Sequence, residues 1–154
     1  MNERIEMRPI GVVRSSVTEQ RDTDWGGVRS SIELIPELAA GLRGLGEFSH
    51  AVIVTYLHQA AFDPVRHLQR RPRGLAHMPL AGIFAQRAKD RPNPLGIAAV
   101  RIIAVGEGSL EVQGLDAIDG TPVLDIKPYV PEFDTRHDAA VPSWMRELMQ
   151  GYFR

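Results

Sequence analysis

Gly96-Ile97-Ala98-Ala99-Val100-Arg101-Ile102-Ile103-Ala104-Val105, then Gly106-Glu107-Gly108-Ser109, then Leu110-Glu111-Val112-Gln113-Gly114-Leu115 is the stretch that decides the fold. Two apolar runs flank a glycine-bracketed turn, the pattern of a β-hairpin. Immediately upstream stands Arg91-Pro92-Asn93-Pro94-Leu95-Gly96. Two prolines around one residue forbid a helix, because each lacks an amide donor and restricts the residue before it. Arg91 and Asn93 therefore sit on a stiff elbow, which loses little further entropy when a ligand arrives. A further apolar run before the elbow, Leu80 to Gln86, predicts another strand.

Reading outward, Pro9 to Arg14 predicts a first strand, Ser15 to Gly27 a loop, and Val28 to Ile35 a half-buried strand. Pro36 to Leu42 opens on proline and has Gly41 near its end, which predicts a short helix. Ala51 to Leu57 is β-branched and aromatic, hence a buried strand. Phe62 to His77 reads as irregular or partly helical. Asp119-Gly120 reads as a hairpin turn before a strand from Thr121 to Ile126. The tail, residues 141–153, predicts a C-terminal helix with Ser143 as its N-cap. Six or seven short strands, with turn signals every ten or so residues, predict a mainly β, antiparallel barrel or sandwich. A doubly wound sheet needs a long helix between most strands, and the gaps do not supply one. The 154 residues are expected to form one domain.

The chain has no cysteine, which excludes disulfides, thiolate metal sites and thiol nucleophiles. His50, His58, His67, His77 and His137 are scattered without metal-ligand spacing, so no metal is expected. Gly41-Leu42-Arg43-Gly44-Leu45-Gly46 has its glycines in the wrong order for a dinucleotide fingerprint and reads as a helix end and turn. No nucleophile elbow occurs. No apolar run approaches a membrane span or the core of a signal peptide, so a soluble cytoplasmic protein without a membrane partner is expected.

Net charge is −1, but its distribution is uneven. Arg66, Arg70, Arg71, Arg73, Arg87, Lys89 and Arg91 face a single acid, Asp90, between residues 66 and 91. That window carries +6 and the remainder −7. A basic segment on an acidic body points to an anionic partner such as a phosphate backbone, with a solvated loop as the plain alternative.

Several motifs occur in a fixed order: Pro9-Ile10-Gly11-Val12-Val13-Arg14-Ser15; Phe48-Ser49-His50-Ala51; His58-Gln59; Gly82-Ile83-Phe84-Ala85-Gln86-Arg87; the proline elbow; and the segment from Asp119 to Tyr129. Over roughly residues 8–132 they resemble the TsaA-like family of S-adenosylmethionine-dependent tRNA adenosine N6-methyltransferases. The resemblance implies a single compact antiparallel β-barrel with short peripheral helices, binding S-adenosyl-L-methionine without a Rossmann sheet and acting as a homodimer. It implies methyl transfer to N6 of a threonylcarbamoylated adenosine beside the tRNA anticodon. Carried over by position, the cofactor contacts would be His58, Gln59, Arg87, Ile97, Asp119, Gly120, Thr121 and Pro122, with the loop at Trp25, Gly26 and Gly27 touching it too. Arg66, Arg70, Arg71, Arg73, Lys89, Arg91 and Asn93 would approach the tRNA. Two departures stand out: Gln86-Arg87-Ala88 replaces the family's frequent Thr-Arg-Ser, and Asp24-Trp25-Gly26-Gly27 only loosely matches its basic N-terminal run.

A sulfonium methyl donor needs no metal and no covalent intermediate, so the protein mainly holds donor and nucleophile in line. An exocyclic adenine nitrogen must lose a proton, and Asp125, Tyr129 and His58 are the candidate acceptors. Plain readings stand beside these: Asp125 as a solvated pair with Lys127, His58 as a strand-end residue and, at the elbow, Arg91 as a brace of its own turn. Two other functions fit the same residues: a non-catalytic S-adenosylmethionine-binding module, and a methyltransferase for a small metabolite.

Overall fold

The computed structural model describes residues 3–154. Eight strands form: β1 (Gly11–Ser15), β2 (Arg29–Leu34), β3 (His50–Tyr56), β4 (Gln69–Arg70), β5 (Ala81–Gly82), β6 (Leu95–Val105), β7 (Ser109–Gln113) and β8 (Pro122–Pro128). Six close into an antiparallel barrel in the order β1-β2-β7-β6-β3-β8, and β4 pairs with β5 beside it. Helices are short: α1 (Pro64–His67), α2 (Pro131–Asp134) and α3 (Ser143–Met149). The mainly β, barrel-forming reading of the sequence is borne out.

Alternation of side chains builds the interior. Val13, Ile32, Ala51, Ile53, Val100, Leu110, Val112 and Val123 point inward and are essentially buried. Fully burying one such Val, Leu or Ile contributes about 1.5–3 kcal/mol. The long strand β6 shifts register between Ile102 and Ala104, and β3 does so against β8 between Val54 and Thr55. Such bulges add the bend that a closed barrel requires. The seam between β1 and β8 is short: Gly11 pairs with Val123 and Val12 with Pro122.

Four local expectations change. The run from Leu80 to Gln86 gives only the two residues of β5, followed by a 3-10 turn at Ile83–Ala85. The Gln86 amide donates to the carbonyls of Arg70 (3.0 Å) and Ala81 (2.9 Å), curling the segment back on itself. Asp119-Gly120 is a turn but not a hairpin, because β7 and β8 do not pair and β8 lies between β1 and β3. The helix at Pro36–Leu42 is 3-10. The C-terminal helix starts at Ser143 itself, with Pro142 in the cap position and no side-chain cap.

Candidate functional site on one rim of the barrel

Antiparallel order sorts the loops by rim. The upper rim collects the connections at residues 16–28, 57–94 and 114–121, and the lower rim those at 35–49 and 106–108. Thr55, near the top of β3, pairs with Gly96 on one side and Val123 on the other. Adjacent strands lie about 4.8 Å apart, so the proline elbow and the Asp119 turn flank the end of β3 at roughly 10 Å from each other. His58 and Gln59 leave β3 between them and are exposed.

The elbow is braced internally. The Pro94 carbonyl accepts from Leu57 N (2.8 Å) and that of Asn93 from Leu95 N (2.7 Å). Arg91 donates through Nη1 to the carbonyls of Gln86 (2.9 Å) and Ala88 (3.2 Å). Asp90 accepts from Ala61 N at 3.0 Å and lies 3.0 Å from Lys89 Nζ and 3.8 Å from His67 Nε2. Burial pushes its carboxyl up, but the Ala61 amide and Lys89 outweigh this and leave its pKa below the ordinary carboxylate value. Arg87 is exposed and donates Nη2 to the Ile97 carbonyl at 3.0 Å, which ties a free-facing guanidinium to the first residues of β6.

The second wall is anchored to β1. Asp119 N donates to Val17 O (2.8 Å), Gly120 N to Val13 O (2.8 Å), and Asp119 Oδ1 accepts from Ser15 N (3.0 Å). Gly120 holds φ of 82°, which favours glycine, and open space lies where a Cβ would point. Thr121 is buried, its hydroxyl donating to Ile118 O at 2.7 Å.

The N-terminal loop behaves differently from expectation. Trp25 is 1% exposed, a core residue and not an open contact, with its indole N–H on Arg21 O at 2.9 Å. Gly26 packs so closely on the C-terminal tail that a Cβ would lie 1.7 Å from Phe153 O. Gly27 has nothing within 4 Å of a Cβ and faces open space. Behind this loop lies a pair that sequence reasoning missed: the Tyr152 hydroxyl donates to Asp116 Oδ2 at 2.5 Å. Burial pushes the Asp116 carboxyl above its ordinary pKa, with the Tyr152 hydrogen bond and the charge of Arg87 among the opposing effects. The one hint in the sequence is an acid set in the apolar run Leu115-Asp116-Ala117-Ile118.

The family described as tRNA-methyltransferase O N-terminal domain matches residues 15–135. The chain belongs to this TrmO N-terminal-domain family. A solved TrmO from Pseudomonas aeruginosa is 34% identical, with a TM-score of 0.72, over 90% of this chain and 62% of that one. The tRNA (adenine(37)-N6)-methyltransferase of Escherichia coli is 37% identical over 148 residues, covering 88% of this chain and 62% of that protein. The chain thus spans less than two thirds of either. An S-adenosyl-L-methionine-binding protein of Archaeoglobus fulgidus is 36% identical over 132 residues, covering 83% of this chain and 91% of its own length.

Within this TrmO-domain barrel Tyr129 is set apart from the other two candidate bases. Tyr129 sits on the lower rim: its amide donates to His50 O at 3.0 Å and its hydroxyl meets Thr135 Oγ1 at 2.9 Å. The length of β3, about 20 Å at 3.3 Å per residue, separates it from His58. Asp125 lies along β8 opposite Val54, with Lys127 Nζ at 3.0 Å. His58 follows the upper end of β3 and is exposed.

The basic window is also divided. Arg71 spends Nη1 on Met78 O (2.6 Å), Arg73 pairs with Asp22 (3.5 Å), Lys89 with Asp90, and Arg91 holds its own turn. Arg66 and Arg70 have no side-chain partner among the described residues. Asn93 is exposed on the elbow. Two surface grooves, of about 430 and 370 Å³, lie beside Ala39 and Val105 on the lower rim and along α3 and the tail that follows it. Among the described residues no cluster of three metal-ligating side chains occurs, and no helix is long and apolar enough to cross a membrane.

Proposed function

We propose that this chain is an S-adenosylmethionine-dependent methyltransferase that acts on N6 of an adenosine beside the anticodon of tRNA. The observation that carries this reading is the match of residues 15–135 to the TrmO domain. The upper rim fits the cofactor chemically. Arg87 offers a guanidinium to a carboxylate, and its anchor on Ile97 O fixes where that fork stands. Asp119 has one oxygen committed to Ser15 N, which leaves the other for an ammonium or a ribose hydroxyl. Gly120 leaves open space beside both.

Bound there, S-adenosylmethionine would supply a methyl group already activated on sulfonium. The chain's own residues then position and take up a proton. Arg87 and Asp119 hold the two polar ends of the donor, while the braced elbow keeps its wall from relaxing. His58, at the end of β3, accepts the proton from the adenine N6. Arg66 and Arg70, the unpaired arginines, meet the tRNA phosphates. The working unit we propose is a homodimer of this single domain in the cytoplasm. Support for the dimer is the outward row of Tyr56, Leu95 and Ile97 on the paired strands β3 and β6, exposed at 43%, 41% and 56%.

Calorimetry with S-adenosylmethionine is the first test, and no heat at millimolar ligand removes the reading. Tritium transfer from labelled cofactor to tRNA of a strain lacking this gene is the second. Label confined to adenosine of the anticodon loop is expected, and label in a small-molecule fraction would instead mean a metabolite substrate. A binding module without catalysis has its own support. A Methanothermobacter thermautotrophicus relative, 40% identical over 135 residues and matched over 94% of its length, bears a name that claims only S-adenosyl-L-methionine binding. Cofactor binding with no label transferred would favour it. Light scattering at micromolar concentration tests the dimer, for which twice the chain mass is expected.

A further inference from the structure

The turn that carries His58 and Gln59 is closed by one hydrogen bond, from Ala60 N to Leu57 O at 3.0 Å. That bond fixes the shape of the turn but not its place on the rim. Its place is set at two feet. Leu57 N donates to Pro94 O at 2.8 Å, and Ala61 N donates to Asp90 Oδ1 at 3.0 Å. Both acceptors belong to the elbow segment, residues 90–94. The first is a main-chain oxygen, which any residue would supply there. The second is a side chain, so only the choice of residue at position 90 provides it.

The Asp90 carboxylate is itself held. Lys89 Nζ lies 3.0 Å from the same Oδ1, and His67 Nε2 lies 3.8 Å from Oδ2. The His67 and Asp90 side chains are only 13% and 17% exposed. His67 Nδ1 accepts from Asp63 N at 2.9 Å, so the neutral ring carries its proton on Nε2, the nitrogen on the Asp90 side. Asp63 in turn caps α1 through Val65 N at 3.0 Å. The chain from residue 57 to 67 thus leaves the elbow and comes back to it at His67. We infer that Asp90 is a positioning residue: its Oδ1 seats the second foot of the turn at His58 and Gln59, while His67 and Lys89 hold the carboxylate. Without it the Ala61 amide turns to water and the turn swings about Leu57. His58 and Gln59 must then be ordered again each time a ligand arrives. The inference rests on reading His58 and Gln59 as groups of the functional rim. It gives Asp90 a task beyond offsetting one charge of the basic window.

The test is a series at residue 90 on the full chain, read by His58 imidazole NMR, Ala61 amide exchange and S-adenosylmethionine calorimetry. Asp90→Ala should shift the His58 ring signals and speed exchange at Ala61. It should also weaken cofactor binding by roughly three- to tenfold, the range that one hydrogen bond supports. Asp90→Asn keeps an oxygen for the Ala61 amide without the charge. Asp90→Glu keeps the charge but moves the oxygen outward by one methylene. Positioning requires Asn to stay closer to the wild type than Glu in all three readouts. The reverse order means that charge alone matters, and it overturns the inference. These two variants decide the matter if Asp90→Ala does not fold. Unchanged His58 signals and Ala61 exchange in Asp90→Ala also overturn it. If the wild-type chain gives no heat, the cofactor reading falls, and the two NMR readouts decide the positioning by themselves. His58 signals that move in Asp90→Ala while affinity holds uphold the positioning and remove the turn from the cofactor site.

Discussion

The two rims of this barrel are made from the same strands and differ in almost everything else. The lower rim is closed by the tight connection at residues 106–108 and the compact pair of 3-10 turns between β2 and β3. The upper rim carries the long excursion at residues 57–94, the Asp119 turn, and an N-terminal loop pinned by the distant C-terminus. The proposed chemistry follows the long connections: Arg87, Asp119, His58 and the elbow gather above, whereas below Tyr129 packs against His50 and its hydroxyl meets Thr135. A rigid barrel sets the spacing, and the loops on one end supply the groups.

The contrast is sharpest at two adjacent glycines. Gly26→Ala must push the C-terminal tail off the loop, and it should cost on the order of 3 kcal/mol, a fall in Tm of roughly 6–12 °C. Gly27→Ala, facing open space, should stay within about 0.5 kcal/mol. Thermal unfolding of both variants checks the pair, and equal effects would mean that the tail is not seated. Next in size, Arg87→Ala should weaken S-adenosylmethionine by about tenfold or more, since hydrogen bonds to charged groups contribute about 1.5–3 kcal/mol; calorimetry reads it. Smaller again is a pH effect. Asp116 has a folded-state pKa above its ordinary 3.8, so the unfolded chain loses this proton first. Stability should therefore fall as pH rises from 3.8 through the raised value, and urea midpoints of Asp116→Asn should lack that part of the slope. Arg66→Ala should reduce the salt dependence of tRNA binding by about one unit of slope, measured by filter binding over a salt series. Least of all, Tyr129→Phe on the lower rim should leave methyl transfer unchanged; a large loss of rate there would break the distinction between the rims.

Much of the architecture was open to reading along the chain. The hairpin at Gly106–Ser109, the β-branched run of β3 and the proline elbow are local, and period-2 alternation with turn chemistry predicts each without knowledge of neighbours. The segment after Leu80 misled because its strand-like apolar run is overruled by Gln86, a side chain that captures two carbonyls from residues 70 and 81. Asp119-Gly120 showed its turn but not its destination, since the sequence of a turn carries no record of which strand the next one joins. Trp25 looked like part of an open loop, and its burial depends on a tail more than 120 residues away.

Residue types and their spacing were enough to establish strands, turns, the absence of thiol chemistry and the kinship of the elbow and Asp119 motifs, because those depend on backbone sterics and short-range periodicity. Three things emerged only when the barrel closed: that elbow and turn share a rim, that Tyr129 does not, and that Tyr152 reaches Asp116. Each depends on strand order and on contacts between residues far apart in sequence, and those arise from burying a common core, a property no short window of sequence contains.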